Sequence, residues 1–199
     1  MKISFHGAAQ TVTGSKHLIT LTNGKKLLLD CGLFQGMGAE TNELNSEFGF
    51  NPKEINYVIL SHAHVDHCGL LPKLIKDGYN GKVYATPATK DLATVLMEDS
   101  AGIQENDIKF ENKKRALLGL PYLKPLYTTE DAIIAANHFE VVEYGKWFRI
   151  DDNFEFCFTD AGHIIGSAAV HLRITENGIV LAPVGVFAVL VSTLPNYKP

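Results

Sequence analysis

An α/β fold is predicted by three features of the sequence. Short apolar or β-branched runs recur along the chain, helical patterns are inserted between them, and one stretch reads strand, polar cluster, helix, strand, the order of a βαβ-like unit. No internal repeat competes with that reading. With 199 residues, 46% of them hydrophobic, the chain can bury a real core and fits one domain more naturally than two.

Taken in order, Lys2 to Phe5 and His17 to Thr22 are strand patterns, and "NGKK" from Asn23 is a turn before "LLLD". Together they predict an opening meander of strands. "EINYVILS" is the next strand, followed at once by a histidine cluster. "CGLLPKLIKDG" has helical spacing at Leu70, Leu71, Leu74 and Ile75 and stops at Gly78, and "GKVYATP" is a strand bounded by Gly81 and Pro87. From Pro87 to about Phe110, Leu92, Val95, Leu96 and Met97 recur at helical intervals among acids and amides, predicting a long amphipathic helix. After "NKKRALLGLP" come a second helical pattern, "TTEDAIIAANHF", and four strand patterns, "HFEVVEY", "KWFRI", "FEFCFTD" and "AAVHLRIT".

The end is of another character. After Glu176 there is no Asp, Glu or His, and "GIVLAPVGVFAVLVSTL" is almost wholly apolar. Three readings fit this run: a buried strand pair, a membrane segment, or a tail foreign to the native fold. A membrane span needs about 20 apolar residues. This run is shorter and is broken by Pro183 and Gly185, which favours the strand pair.

A formal net charge of −4 and a pI near 6.0 give no global attraction for nucleic acid, so any polyanion contact has to be local. The local candidate is Lys113, Lys114 and Arg115, read first as a solvated helix face and second as a phosphate contact. Cys31, Cys68 and Cys157 are an odd number without a CxxC pair, which argues against a disulfide framework and a cysteine-rich zinc knot. "MKISFHGAAQTVTGSK" lacks the long apolar region of a secretory signal, so a cytoplasmic location is expected.

Chemistry concentrates in "HAHVDH". His62 and His64 are two apart, so on an extended backbone they project to one side and can grip a single ion. Asp66 and His67 follow as the chain turns into the next helix, offering oxygen and nitrogen from another angle. Imidazole with carboxylate is the ligand set of a borderline metal, zinc first, with manganese or iron as alternatives. A catalytic site usually needs a third protein ligand, and "TDAGHIIGSA" supplies His163 between glycines that let backbone approach a metal closely. Asp30, ending "LLLD", is either a residue that orients the histidine loop or a simple strand-end turn. His6, His17, His138 and His171 lie in or beside strand patterns and are expected to be structural, with His6 the one to watch because it precedes a glycine turn.

"HAHVDH" with a lone "GH" about a hundred residues later resembles the metallo-β-lactamase superfamily. "GAAQTVTGSKHL", "LLLDCGLFQG", "LMEDSAGIQE" and "DAGHIIGSA" look like its β-CASP branch of RNA-processing nucleases. The resemblance runs from about Lys2 to about Glu176 and implies a four-layered αββα sandwich with metals at the edge of two facing sheets. It implies one zinc on His62, His64 and His163, a second on Asp66 and His67, and catalytic parts for Asp66 and Asp30. RNA is the implied partner, and hydrolysis of its phosphodiester bonds the implied reaction.

Two departures qualify those expectations. The family's metal-bridging aspartate would fall in "IVLAPVG", which holds no acid, and the family's cap domain and last metal-binding histidine follow beyond this point. An incomplete sandwich is therefore expected, with a partial domain over 1–176, a diverging apolar tail over 177–199, no cap, and the first zinc site better filled than the second. A chain ended by truncation or a frame change is expected to be weak or inactive alone. Two other readings stay open: a small-molecule thioester or lactone hydrolase of the same superfamily, and a non-catalytic product that forms a homodimer through exposed sheet surface. No membrane partner is expected.

Overall fold

The chain opens with β1 (Lys2–Phe5), β2 (His17–Thr20) and β3 (Lys26–Leu29), an antiparallel meander turned at the predicted Asn23–Gly24 step. The computed structural model describes residues 1–36 and 38–186. After β3 come α1 (Thr41–Ser46), β4 (Tyr57–Ile59), α2 (Val65–Cys68), α3 (Leu71–Lys76) and β5 (Val83–Ala85). The long helix α4 (Pro87–Leu117), α5 (Thr129–Ala136) and β6 (Phe139–Val141) complete the first half. A second sheet follows, from β7 (Trp147–Arg149), β8 (Phe154–Asp160), β9 (Ala168–Glu176) and β10 (Ile179–Val186).

The first sheet has the order β1-β2-β3-β4-β5-β6, antiparallel as far as β3 and parallel from β3 to β6. Its central parallel strands β3 to β5 are buried on both faces, so their sequences are nearly continuous apolar runs, while edge strand β6 carries Glu140 and an exposed Val141. Leu28, Val58 and Val83 point to a core shared with α3, α4 and α5, through Leu71, Leu74, Ala93, Met97, Ala132 and Ala135. Leu27, Leu29, Ile59 and Tyr84, one position along, point the other way, into a core with Phe154, Phe156, Phe158, Val170, Leu172 and Ile174 of the second sheet. The result is three layers, helices on sheet on sheet, which is the predicted sandwich without a second helical layer among the described residues.

The predicted elements are found close to their expected bounds, with four differences. Short α1 was not anticipated. The expected helix "CGLLPKLIKDG" is split between α2 and α3 at Gly69 and Leu70. Helix α4 runs on to Leu117, because "NKKRAL" contains no breaker before Gly119. Its start is set by Thr86, whose side chain accepts from the Thr89 N–H, and by Pro87 in the first turn. The apolar run after Gly178 begins as β10, antiparallel to β9, with a register irregularity between Leu181 and Val184 that accommodates Pro183. Ile179 and Val180 are exposed, so the start of this strand is not the buried one predicted. The remainder of the run, 187–199, lies outside the described residues.

No helix among the described residues is long and apolar enough to cross a membrane. All three cysteines are free and buried.

Candidate metal centre

The parallel strands β3 and β4 end side by side, and the polar residues that follow each of them meet there. At an α/β sheet the carboxyl ends of the strands are where exposed polar loops converge. Asp30, the residue after β3, is fully buried and has φ +59°. Its carboxylate accepts from the Ser61 N–H (2.8 Å), Ser61 Oγ (3.0 Å), Ser15 Oγ (3.3 Å) and His67 Nδ1 (2.7 Å). Two of these partners, Ser61 and His67, belong to the histidine loop, so Asp30 is bonded to it rather than standing alone at a strand end.

That network decides which histidine nitrogens are free. His67 Nδ1 donates to Asp30, leaving Nε2 available, 3.7 Å from Asp66 Oδ2. Ser61 Oγ gives its proton to Asp30 and therefore accepts from His62 Nδ1 at 3.0 Å, leaving the His62 Nε2 lone pair unused. A carboxylate thus sets two imidazoles, one directly and one through a hydroxyl, in the manner typical of metal-ligating histidines.

His163 arrives from the second sheet, in the loop between β8 and β9. Ser167, fully buried, folds this loop: its Oγ accepts the His163 and Ile164 N–H groups, both at 3.2 Å. The Gly166 carbonyl accepts from Thr86 Oγ1 and Thr89 Oγ1, both 2.7 Å, fastening the loop to the start of α4. Gly166 has φ +81°, and a Cβ there would come within 2.5 Å of the Thr89 nitrogen. The Ala168 N–H donates to the Ser61 carbonyl at 2.9 Å and joins the two sheets beside the cluster.

His62, His64 and His163 each present a ring nitrogen, and the three lie within 4.8 Å of one another. His163 Nε2 and His64 Nδ1 are 3.0 Å apart. Two nitrogens on one tetrahedral zinc with bonds of about 2.0–2.1 Å are separated by about 3.3 Å, so the spacing suits a shared ion. The His67 ring centre lies 4.0 Å from that of His62, the two rings tilted by 46°, placing the Asp66–His67 pair next to this cluster. All five sequence-predicted ligands are therefore gathered at one sheet edge, three of them as a closed set.

Protonation follows from burial and neighbours. Burial, reinforced by His67, pulls His62 down to about 3, so its imidazole is neutral and able to ligate at ordinary pH. His64 is lowered by burial and by facing His163. For His67, burial disfavours the charge, but the Asp30 carboxylate outweighs it and the net direction is upward. Asp30 mirrors this: burial would raise it, while His67 and the Ser61 N–H hold it below its ordinary value.

Several supporting residues were not singled out in the sequence. Ser61 relays Asp30 to His62, and its only signal was its place directly before the motif. Lys16 is fully buried, its Nζ donating to the Gly14 and Gly32 carbonyls at 3.0 and 2.9 Å and lying 4.2 Å from the centre of the Phe34 ring. The two loop segments it ties together grip the motif: Ser15 N–H donates to Asp66 O at 2.8 Å and Cys31 N–H to His67 O at 2.7 Å. A Cβ on Gly32 would fall 1.6 Å from Asp66 O, so only glycine permits this approach.

The other histidines are not among the three that close on one another. His138 Nδ1 bonds to the Gly81 carbonyl, His171 Nε2 to Thr159 Oγ1, and His6 packs edge-on against Phe50. His17 packs on Phe5, and its buried Nδ1 has no partner among the described residues.

Residues 13–145 match the family model of the metallo-beta-lactamase superfamily. Over 170 residues the chain is 41% identical to Ribonuclease TTHA0252 of Thermus thermophilus, a match covering 85% of this chain and 34% of that protein. Over 185 residues it is 31% identical to transcription termination factor FttA of Methanocaldococcus jannaschii, covering 93% of this chain and 27% of that one. The chain thus spans about a third or less of the length of these relatives. Among solved structures, a metallo-beta-lactamase of Cronobacter sakazakii with a HARLDQ motif superposes with a TM-score of 0.50 at 18% identity, over 86% of this chain and 52% of that one, a likeness of fold.

Proposed function

The chain belongs to the metallo-beta-lactamase superfamily, and from that premise we propose that its histidine cluster is the metal centre of an RNA phosphodiester hydrolase. The observation that carries the reading is the convergence of His62, His64 and His163 within 4.8 Å, beside a His67–Asp66 pair whose imidazole is fixed by Asp30. The names of its relatives, a ribonuclease and a transcription termination factor, support RNA as the substrate class.

Three imidazole nitrogens suit zinc, and His62, His64 and His163 would hold the first ion. Asp66 and His67 would contribute to a second, and the sequence offers no acid or histidine after Glu176 to join them. When bound, zinc supplies a water that ionises at about pH 7 and charge stabilisation for a phosphoryl oxygen. The chain's own residues do the rest. Asp30 and Ser61 hold His67 and His62 in the tautomers that present Nε2. Asp66, partly exposed at the rim, would be placed to accept a hydrogen bond from a water there when it is not itself a ligand. Buried His62 closes the inner side of the cluster, while His163 leaves its outer side open to solvent and substrate.

Cleavage of a labelled single-stranded RNA by the zinc-loaded chain, compared with turnover of a thioester, tests the proposal. Weak RNA cleavage above the metal-free background that disappears in His62→Ala is expected of a chain spanning about a third of its relatives' length. Thioester turnover without RNA cleavage, or no metal uptake at all, defeats it.

A further inference from the structure

The second half of α4 leaves the body of the protein. Its buried positions end at Ala101, yet the helix continues to Leu117. The chain then turns at Gly119, φ +66°, and folds back along the helix. Asn112 receives the Leu123 N–H at 2.8 Å and donates to the Leu123 carbonyl at 2.9 Å, while Arg115 Nε donates to the Pro121 carbonyl at 2.6 Å. The arm from 109 to 124 is held in shape by its own polar bonds without being buried.

Its charge is opposite to that of the molecule. Residues 109–124, "KFENKKRALLGLPYLK", contain five cations (Lys109, Lys113, Lys114, Arg115, Lys124) and one anion (Glu111), a net +4 within a chain of −4, so the remainder carries −8. Elsewhere among the described residues six cations, among them Lys25 with Asp151, Lys76 with Asp131 and Arg173 with Glu155, pair with carboxylates, while the unpaired ones, such as Lys53 and Lys90, are scattered rather than clustered. Here Lys114 reaches Glu111 at 3.8 Å, and Lys109, Lys113, Arg115 and Lys124 have no carboxylate partner among the described residues. Two aromatic rings stand out in the same segment, Phe110 at 62% and Tyr122 at 69% exposure, with Lys114 Nζ 4.6 Å from the centre of the Phe110 ring.

We propose that this arm is a binding surface for single-stranded RNA, separate from the metal centre. The unpaired cations take phosphates, and the Phe110 and Tyr122 rings offer faces for bases, the combination of basic track and stacking platform that sequence-tolerant strand binding uses. The exposed Leu117 and Leu118 would suit a protein surface, but four uncompensated cations concentrated on an arm of an acidic molecule favour a polyanion. The choice of RNA among polyanions rests on the proposed function.

Fluorescence anisotropy of a labelled single-stranded oligouridylate, titrated with the full chain in chelator so that no cleavage occurs, tests the arm. In the variant Lys109→Glu/Lys113→Glu/Lys124→Glu, whose side chains are exposed and take no part in the bonds that shape the arm, affinity at low salt falls tenfold or more. The slope of log affinity against log salt flattens by about 2, at about 0.7 for each phosphate that is no longer neutralised. Phe110→Ala/Tyr122→Ala weakens binding and leaves the slope unchanged. Circular dichroism of both variants matches the parent, since every altered side chain is at the surface. Unchanged affinity and slope in the charge-reversed variant overturn the inference, as does a wild-type chain that binds no RNA. A wild-type molar mass by light scattering that falls in Leu117→Ser/Leu118→Ser, with RNA affinity unaffected by charge reversal, identifies an interface between copies and overturns it too. RNA bound through the arm but never cleaved by the zinc-loaded chain defeats the proposed function and leaves this inference standing; cleavage with arm-independent binding does the reverse.

Discussion

Asp30 and Lys16 are the two buried charges behind the histidine loop, and each gives a prediction of its own. Asparagine also tolerates positive φ, so Asp30→Asn keeps the backbone at φ +59° and removes mainly the charge. The amide cannot accept from Ser15, Ser61 and His67 together, and the tautomers of His67 and His62 are no longer enforced. Zinc affinity, read by chelator competition, is expected to fall about 10–100-fold. Lys16 shows the cost of a buried ammonium: burial pulls it down to about 8 from an ordinary value of 10.5. Between those values the unfolded chain binds more protons than the folded one, so this residue's contribution is fully present above the upper value and is lost as pH falls through the lower. In urea unfolding, the stability difference between the wild type and Lys16→Met is expected to widen in favour of the wild type from pH 8 to pH 10, by on the order of 1 kcal/mol per pH unit. A gap that stays flat over that range shows that Lys16 is not the titrating group.

At the scale of elements, the loop between β8 and β9 is the part of the site most dependent on packing elsewhere. His163 is placed by Ser167 and by the Gly166 carbonyl seated on Thr86 and Thr89 at the start of α4. Gly166→Ala adds a Cβ 2.5 Å from the Thr89 nitrogen at a backbone angle that alanine disfavours. The loop is expected to lift off α4, with zinc affinity reduced at least tenfold while the far-UV circular dichroism is retained. Retained affinity would show that Gly166 is dispensable for placing His163. This loop also marks where sequence reading ends. The strands were legible because Leu27, Leu28 and Leu29 alternate between two cores, which gives a continuous apolar run, and β9 alternates buried with half-buried positions in the pattern of a one-sided strand. The five candidate ligands were legible because they share a motif or stand between glycines. Ser61, Lys16, Thr86 and Thr89 were not, because their roles come from distances in space between segments up to about eighty residues apart, as in Thr86 to Gly166. Helix α1 was missed because "TNELNS" has no apolar periodicity to announce it.

For the molecule as a whole, the position of the three histidines couples metal to fold. His62 and His64 follow β4 of the first sheet, and His163 precedes β9 of the second, so an ion held by all three bonds one sheet to the other at their common edge. Between the sheets, Phe154, Phe156 and Phe158 already supply a dry core. At that edge, sheet-to-sheet bonding by the backbone includes the Ala168 N–H to Ser61 carbonyl bond. A ligand bound only by the folded state adds about 4 kcal/mol at a thousand times its dissociation constant. In a chain of this size each kcal/mol moves Tm by about 2–4 °C. Zinc at that excess is therefore expected to raise Tm by about 8–16 °C, reversibly on chelation, with one ion per chain by elemental analysis. His163→Ala should abolish most of the rise, since it leaves both remaining ligands on one sheet. His67→Ala should keep most of it, because His67 lies outside the three-histidine set. Two ions per chain, or a rise equally sensitive to His67 and His163, would mean that ligation does not follow the division between the two sheets.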